Sequence, residues 1–405
     1  MRRCQALSNG VVKVERQLAL ALVAILALPP VKFVVFQSIP NLHLYNFQAN
    51  IVVSVILAFL ILPTVSTVAK RVGRIVLPVI CLFSFFFAVN ILVFPNNVQN
   101  ILNHMLRIYF VSFLCFSLAL SIRDHKLVFR YLHKISYAII SCGVAMLAAT
   151  VVIGAVGAAP TGYNMSLSYY LLIPTLALIS VFYQHKRIID LVFIALALTV
   201  IVAMGSRGPL LSIAFFILFY NLKLRVYTYK VVLVDLGTVL GLGLMIFHYS
   251  RIAEWMLVSL QRLGIHSRTL GLLLAGSFAW PSNRDLIAQE LIDVVLKNPL
   301  LGIGLLGDLR SHNIILETYL FFGIFSGSIL LFALLSLIAL SLMYSGDKEL
   351  SLLIGMFASY AIPDALLNLT IWGKDIFWIY LGFTIVAIMK RRKILQPTMI
   401  ATSIG

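Results

Sequence analysis

Charge is scarce in this sequence. Only 11% of its 405 residues are charged, and Asp and Glu together number 14. A soluble domain carries roughly 25% charged residues, so a water-soluble globule is excluded and the solvent for most of the chain is lipid. Cysteine is sparser still, with four residues. Cys4, Cys81, Cys115 and Cys142 lie at the N-terminus or inside apolar runs, which argues against a disulfide framework and against a cysteine metal site. An internal repeat is lacking too, whereas many transporters are built from repeated halves. The link after the sixth apolar run is only Tyr183-Gln184-His185-Lys186-Arg187, unlike the long inner loop of twelve-helix transporters made of two parallel halves.

What fills the chain is apolar: 61% of residues, with a mean hydropathy of +1.02. Runs long enough to span a bilayer (roughly 17–25 residues each) fall at about 18–36, 50–69, 75–94, 103–122, 135–157, 166–182, 188–204, 208–222, 230–248, 323–344, 350–369 and 375–390. The expected fold is therefore all-α, a single integral membrane domain over 1–405 with about twelve transmembrane helices. The first run is expected to be a retained anchor, because of its length and the Pro-Pro-Val-Lys after Leu28.

The 31 Lys and Arg set the orientation. They gather at alternate run ends: Arg2, Arg3, Lys13 and Arg16; Lys70, Arg71 and Arg74; Arg123, Lys126, Arg130 and Lys134; Lys186 and Arg187; Lys223, Arg225 and Lys230; Lys348; and 390–393. Basic residues stay on the cytoplasmic side, which predicts both termini inside. The net charge of +17 is then a topological signal, with no nucleic-acid partner implied.

One long connection interrupts the pattern, residues 249–312, expected outside as a loop subdomain between the ninth and tenth helices. Ile252, Met256, Leu260 and Leu263 with Trp255 predict an amphipathic helix over Arg251–Leu263 on the membrane face. A second helix is expected from about Arg284 to Lys297, capped by Ser282 or Asn283 and stopped by Asn298-Pro299. Gly302, Gly304 and Gly307 then permit a tight return to the membrane.

Candidate chemistry concentrates at the outer ends. Arg207, in Gly205-Ser206-Arg207-Gly208-Pro209, opens a helix; it either snorkels to lipid headgroups or, with the free N–H groups of that helix end, makes a phosphate-sized anion site. His312 follows Asp308-Leu309-Arg310-Ser311 and precedes Asn313. It is a surface imidazole or a base for a hydroxyl proton. Arg284 forms a surface ion pair or a second phosphate ligand, and Arg310 is a further candidate. Glu317 complements a helix start or orients His312. Arg107 and Asp364 are costly in lipid; they pair with one another or line a substrate cavity. Asp190 and Asp235 read as structural. Tyr163, Asn164, Tyr169 and Tyr170 form an aromatic belt or a sugar-stacking surface.

Three stretches resemble one family. Asn283-Arg284-Asp285, then Lys297-Asn298-Pro299-Leu300-Leu301-Gly302-Ile303-Gly304, Gly307-Asp308, Ser311-His312-Asn313, Leu316-Glu317 and Gly323 resemble the outer loop of the O-antigen ligase/polymerase superfamily. Gly205 to Leu211 resembles that family's arginine-bearing helix start. Gly162-Tyr163-Asn164-Met165 with Ser168 to Leu172 resembles its polymerase branch. The resemblance implies a metal-independent glycosyltransferase without cofactor. An acceptor glycan's hydroxyl attacks the anomeric carbon of a glycan linked to polyprenyl (undecaprenyl) diphosphate, and the lipid diphosphate leaves. Arg207 and Arg284, with Arg310, would bind the diphosphate, and His312 would orient or deprotonate the acceptor.

Asn298 and His312 are fourteen positions apart. That spacing is closer to polymerases of O-antigen, capsule or exopolysaccharide than to ligases that join glycan to lipid A-core. A flippase for lipid-linked sugars and a non-catalytic scaffold are the competing classes. The setting implied is the bacterial cytoplasmic membrane, with the site on its extracytoplasmic face, and with chain-length regulator and flippase proteins as partners.

Overall fold

The structure, a computed structural model, describes residues 2–38, 46–155, 165–204, 207–224, 249–262, 271, 274, 284–305, 309, 311, 313–344, 346–367 and 374–401. Among these described residues there is no strand. Their helices are α1 (Arg2–Ser38), α2 (Asn46–Val93), α3 (Val98–Arg107), α4 (Phe113–Ser121), α5 (His125–Ala155), α6 (Met165–Tyr170), α7 (Leu172–His185), α8 (Ile188–Ala203), α9 (Arg207–Phe219), α10 (Tyr249–Arg262), α11 (Arg284–Lys297), α12 (Ile314–Leu342), α13 (Lys348–Leu367) and α14 (Asp375–Ala401). Among the described residues, seven helical stretches are long and apolar enough to cross a membrane: Val12–Val34, Asn50–Val93, Pro95–Ser121, His125–Ala149, Met165–His185, Ile314–Leu342 and Lys348–Leu367. Ile188–Ala203 and Gly208–Leu224 are shorter apolar helices. The protein is thus a helical membrane protein.

Eleven of the twelve expected runs coincide with helix; the run at 230–248 lies outside the described residues. One difference is instructive. The runs 50–69 and 75–94 are joined in the single helix α2, with Pro63 and Pro78 inside it. Lys70, Arg71 and Arg74 therefore lie mid-helix and not in a turn. Lys and Arg are good helix formers, so basic residues between two apolar runs do not by themselves break a helix. Arg71 is held there by an ion pair to Glu15, 2.6 Å away. The same Arg71 nitrogen donates to the Ser121 carbonyl at 2.9 Å. Glu15 also accepts from the backbone N–H groups of Arg123 and Asp124 at 3.1 and 3.2 Å. One buried carboxylate thus ties α1 and α2 to the α4–α5 turn.

The chain divides into two compact units. The first comprises Met1–Leu26, Ser54–Tyr131 and Ser282–Gly405; the second comprises Ala27–Val53 and Leu132–Pro281. The boundary at Pro281 falls within the stretch expected to form the outer loop.

In the first unit α14 packs against α4, α13 and α12. Gly382 permits the α14–α4 approach: a Cβ there would stand 2.7 Å from the Ala119 Cβ and 2.8 Å from the Phe116 carbonyl oxygen. Small residues that let backbones close in are a usual source of helix association in lipid. Phe83, Phe87, Tyr109, Phe113 and Trp378 meet edge to face with centroids 5.1–6.2 Å apart, a geometry favoured by the ring quadrupoles. Beyond the end of α12, Asp347 binds Lys390 Nζ at 2.8 Å and His125 Nδ1 at 3.2 Å, and accepts from Leu350 N–H at 3.1 Å. Burial works against its charge, but these partners outweigh it and hold the carboxyl at about 2.

In the second unit α7 packs on α8 and α9, and α6 touches all three. Leu171, Leu172, Leu176, Ala177 and Leu178 are fully buried. Tyr183 stacks on Tyr220 at 4.7 Å.

Candidate functional site

Between α11 and α12 the chain turns back at residues 298–305. α11 ends at Lys297, where Pro299 cannot supply an N–H. The chain then turns. Gly302 and Gly304 adopt φ of +66° and +82°, the left-handed region that glycine enters without penalty. A Cβ on Gly302 would meet the Leu320 carbonyl oxygen at 2.4 Å, and one on Gly304 would meet the Phe94 ring at 2.5 Å.

The turn docks on a break in α12. Gly323 has φ +70° and ψ −179°, non-helical values inside an otherwise continuous helix. Such a break frees backbone groups, and the turn takes up two of them. Ile303 N–H donates to Leu320 O at 2.8 Å, and Ile324 N–H donates to Pro299 O at 2.7 Å. Two asparagines complete the attachment. Asn97 Nδ2 donates to Ile303 O at 2.9 Å, and Leu305 N–H donates to Asn90 Oδ1 at 2.8 Å. Turn, broken helix, the end of α2 and the short Pro95–Asn97 turn after it form one hydrogen-bonded clasp.

α12 opens a few residues later. Asn313 is its N-cap: the side-chain oxygen accepts from Ile315 N–H at 2.8 Å and Leu316 N–H at 3.5 Å, the usual way to satisfy free amides at a helix start. Ser311 is buried and donates from its hydroxyl to Asn313 O at 2.7 Å. Glu317, one turn in, is buried. His312 and Arg310 themselves lie outside the described residues, as do Gly307 and Asp308. Arg284 is the first residue of α11; its side chain is outside the described set.

The sequence suggests that Arg107 and Asp364 pair with one another or line a cavity. The structure pairs them differently. Arg107 lies 3.9 Å from Asp375, and Lys374 lies 3.1 Å from Asp364. The adjacent residues 374 and 375 at the start of α14 thus take one charge each. Arg107 is 58% exposed while the Asp364 side chain is 5% exposed, so the carboxylate is the one whose charge needs its partner. This role of Lys374 and Asp375 has no local signal, because the sequence shows only a short connection there.

Arg207 belongs to the second unit, where it is the first residue of α9. Two of the resembling stretches meet there. A Cβ on Gly208 would stand 1.9 Å from the Tyr169 hydroxyl, so this glycine makes room for that tyrosine. Tyr169 is 7% exposed, which places it in the interior and not in an aromatic belt. Ser168 beside it donates to Ile201 O at 3.5 Å. Tyr170 is half-buried and meets Phe33 edge to face. Tyr163 and Asn164 lie outside the described residues, as does Asp235.

Asp190, read as structural, is fully buried and accepts from the Tyr137 hydroxyl, with His133 Nε2 at 3.4 Å. His133 and Tyr137 are one turn apart on α5, and only contact with α8 reveals their link. Among the described residues no group of three His, Cys, Asp or Glu is placed to hold a metal ion.

Comparison with family models, with curated proteins and with solved structures finds no match for this chain.

Proposed function

We propose that this protein is a polysaccharide polymerase, a glycosyltransferase that works on the extracytoplasmic face of a bacterial cytoplasmic membrane. Its donor is a glycan on polyprenyl diphosphate, and its acceptor is the hydroxyl of a glycan repeat unit. The observation that carries the reading is shared by three candidates. Arg207 begins α9, Arg284 begins α11, and His312 directly precedes the N-cap of α12. Each motif sits at a helix N-terminus, where the helix dipole is positive, although at α12 the Asn313 side chain already takes the Ile315 and Leu316 N–H groups. Such ends bind phosphate and stabilise negative charge.

In the reaction the C–O bond from the anomeric carbon to the diphosphate breaks. A new bond forms from that carbon to the acceptor oxygen. The acceptor proton passes to His312, and the electron pair departs with the lipid diphosphate. Arg207 and Arg284 hold that leaving group and stabilise the charge that grows on it; Arg310 assists. Loss of one preorganised donor of this kind costs roughly 10²–10³ in rate, and loss of a general base roughly 10²–10⁴. A single displacement inverts the anomeric centre.

The deciding experiment uses purified protein in detergent with a polyprenyl-diphosphate-linked repeat unit, with products resolved by length. Elongation that disappears in Arg207→Ala and in His312→Ala, with both variants still folded, supports the reading. Unchanged chain lengths in both remove the site. Transfer to lipid A-core without elongation would make the protein a ligase. Lipid-linked repeats left on the inner leaflet of a deletion strain would make it a flippase.

A further inference from the structure

We infer that Asn90 and Asn97 are positioning residues for the transfer site: from the end of α2 and the short turn that follows it they fix the 303–305 backbone, and through it the approach to Ser311 and Asn313. The inference rests on the polymerase reading for its catalytic half. Its structural half stands on the clasp alone.

Both side chains are buried in apolar surroundings, Asn90 at 6% and Asn97 at 8% exposure. A buried amide is retained where it is hydrogen-bonded. Here each spends a polar atom on the turn. Asn97 Nδ2 reaches Ile303 O, and Asn90 Oδ1 receives Leu305 N–H, across more than 200 residues of sequence. They take opposite roles, one donating to the turn and one accepting from it. Between them they bracket Gly304, which packs against the Phe94 ring and the Asn97 amide with no room for a Cβ. The turn is thus gripped from the α2 side by two asparagines and one ring, and from the α12 side by the Gly323 break.

The grip matters because the candidate base lies just downstream. Only five residues separate Leu305 from Ser311, whose side chain is buried and bonded to Asn313 O. Asn313 in turn caps α12. The two neighbours of His312 are therefore anchored, and the asparagines fix the last described turn residue before them, Leu305. Neither asparagine touches substrate. They act through the backbone.

The test has two parts. In the first, Ser311→Cys serves as a thiol probe and Cys115, fully buried on α4, as an internal control for global opening. Maleimide labelling of both peptides is followed by mass spectrometry. With Asn97→Ala added, the introduced thiol should label at least tenfold faster while Cys115 stays at its original rate. No change at the introduced thiol overturns the inference, and a parallel rise at both thiols overturns it as mere loss of fold.

The second part is kinetic. Asn97→Ala should lower kcat by roughly ten- to a hundredfold, the scale of a small misplacement of reacting groups, with KM for the donor within about threefold. Asn90→Ala, which removes the acceptor of Leu305 N–H, should lower kcat in the same way. An unchanged kcat in both variants, or a change confined to KM, overturns it. A wild-type protein that elongates nothing rejects the polymerase reading, and the thiol comparison then still judges the clasp.

Discussion

Gly323→Ala gives the sharpest test of the clasp. The native φ of +70° with ψ near 180° lies in a region that is essentially glycine-only, and holding another residue there costs about 1–3 kcal/mol. The added methyl has nowhere to go: its Cβ would stand 2.6 Å from Pro299 O and Leu300 C, and 2.7 Å from Leu300 O. These are backbone atoms, which cannot swing aside as a side chain can. Overpacking of this kind costs roughly another 1–3 kcal/mol. If the turn backs away, Ile303 N–H to Leu320 O and Ile324 N–H to Pro299 O are strained or lost, at about 0.5–1.5 kcal/mol each. Relief by one route limits the cost of the others, so the expected total is about 3–5 kcal/mol. Gly73→Ala is the control. It sits inside α2 with nothing within 4 Å of its Cβ, and alanine there should stabilise by about 0.5–1 kcal/mol from helix propensity. Equilibrium unfolding in mixed micelles, followed by tryptophan fluorescence and circular dichroism, compares the two variants with wild type. A Gly323→Ala protein as stable as wild type would refute the clasp as drawn.

Other perturbations probe the remaining contacts. Gly208→Ala should destabilise the second unit by driving a methyl into the Tyr169 hydroxyl, and adding Tyr169→Phe should recover part of the loss, because the next ring atom is 2.9 Å away; thermal shift of the single and double variants measures it. Asp347, held at about 2 by Lys390, Leu350 N–H and His125, is depressed relative to its unfolded value. Its stabilisation is therefore fully present above about pH 4 and is lost as pH falls through about 2. Asp347→Asn should thus flatten the acid limb of the stability profile, followed by unfolding as a function of pH. Arg107→Ala removes a long ion pair, 3.9 Å, between an exposed guanidinium and a largely buried Asp375 carboxyl, and should cost about 1 kcal/mol or less. Lys374→Ala leaves the buried Asp364 carboxylate without its cation and should cost several times more; unfolding titrations that rank the two in the opposite order would show the pairing to be misassigned.

Periodicity and hydropathy made most of the helices legible, because apolar runs of this length have few other fates in lipid. The bounds of α11 followed from Asn298-Pro299, and the left-handed Gly302 and Gly304 followed from a return that had to be tight. What escaped was long-range. Nothing local in Asn90 or Asn97 shows that their amides reach residues 303–305, and Gly323 stands out only as part of the family resemblance, its backbone break showing once the turn is seen against it. Arg107 and Asp364 were visible as costly charges, but their partners were set by how α3, α13 and α14 meet. The join of two runs in α2 was missed because basic residues mark a membrane boundary without interrupting a helix. Of the candidate residues, Asn313 and Glu317 are placed by the structure at the start of α12, and Arg207 and Arg284 at the first positions of their helices.

The break in α12 also carries a consequence for biogenesis. A nascent membrane segment that holds an unpaired amide and carbonyl is penalised by several kcal/mol per group in hydrocarbon. Here the groups that satisfy Leu320 O and Ile324 N–H lie about twenty residues earlier in the chain, so they leave the ribosome first. The insertion machinery can therefore receive the turn and the split helix as a single, already paired package, and a chain deleted of residues 298–305 should integrate α12 less efficiently.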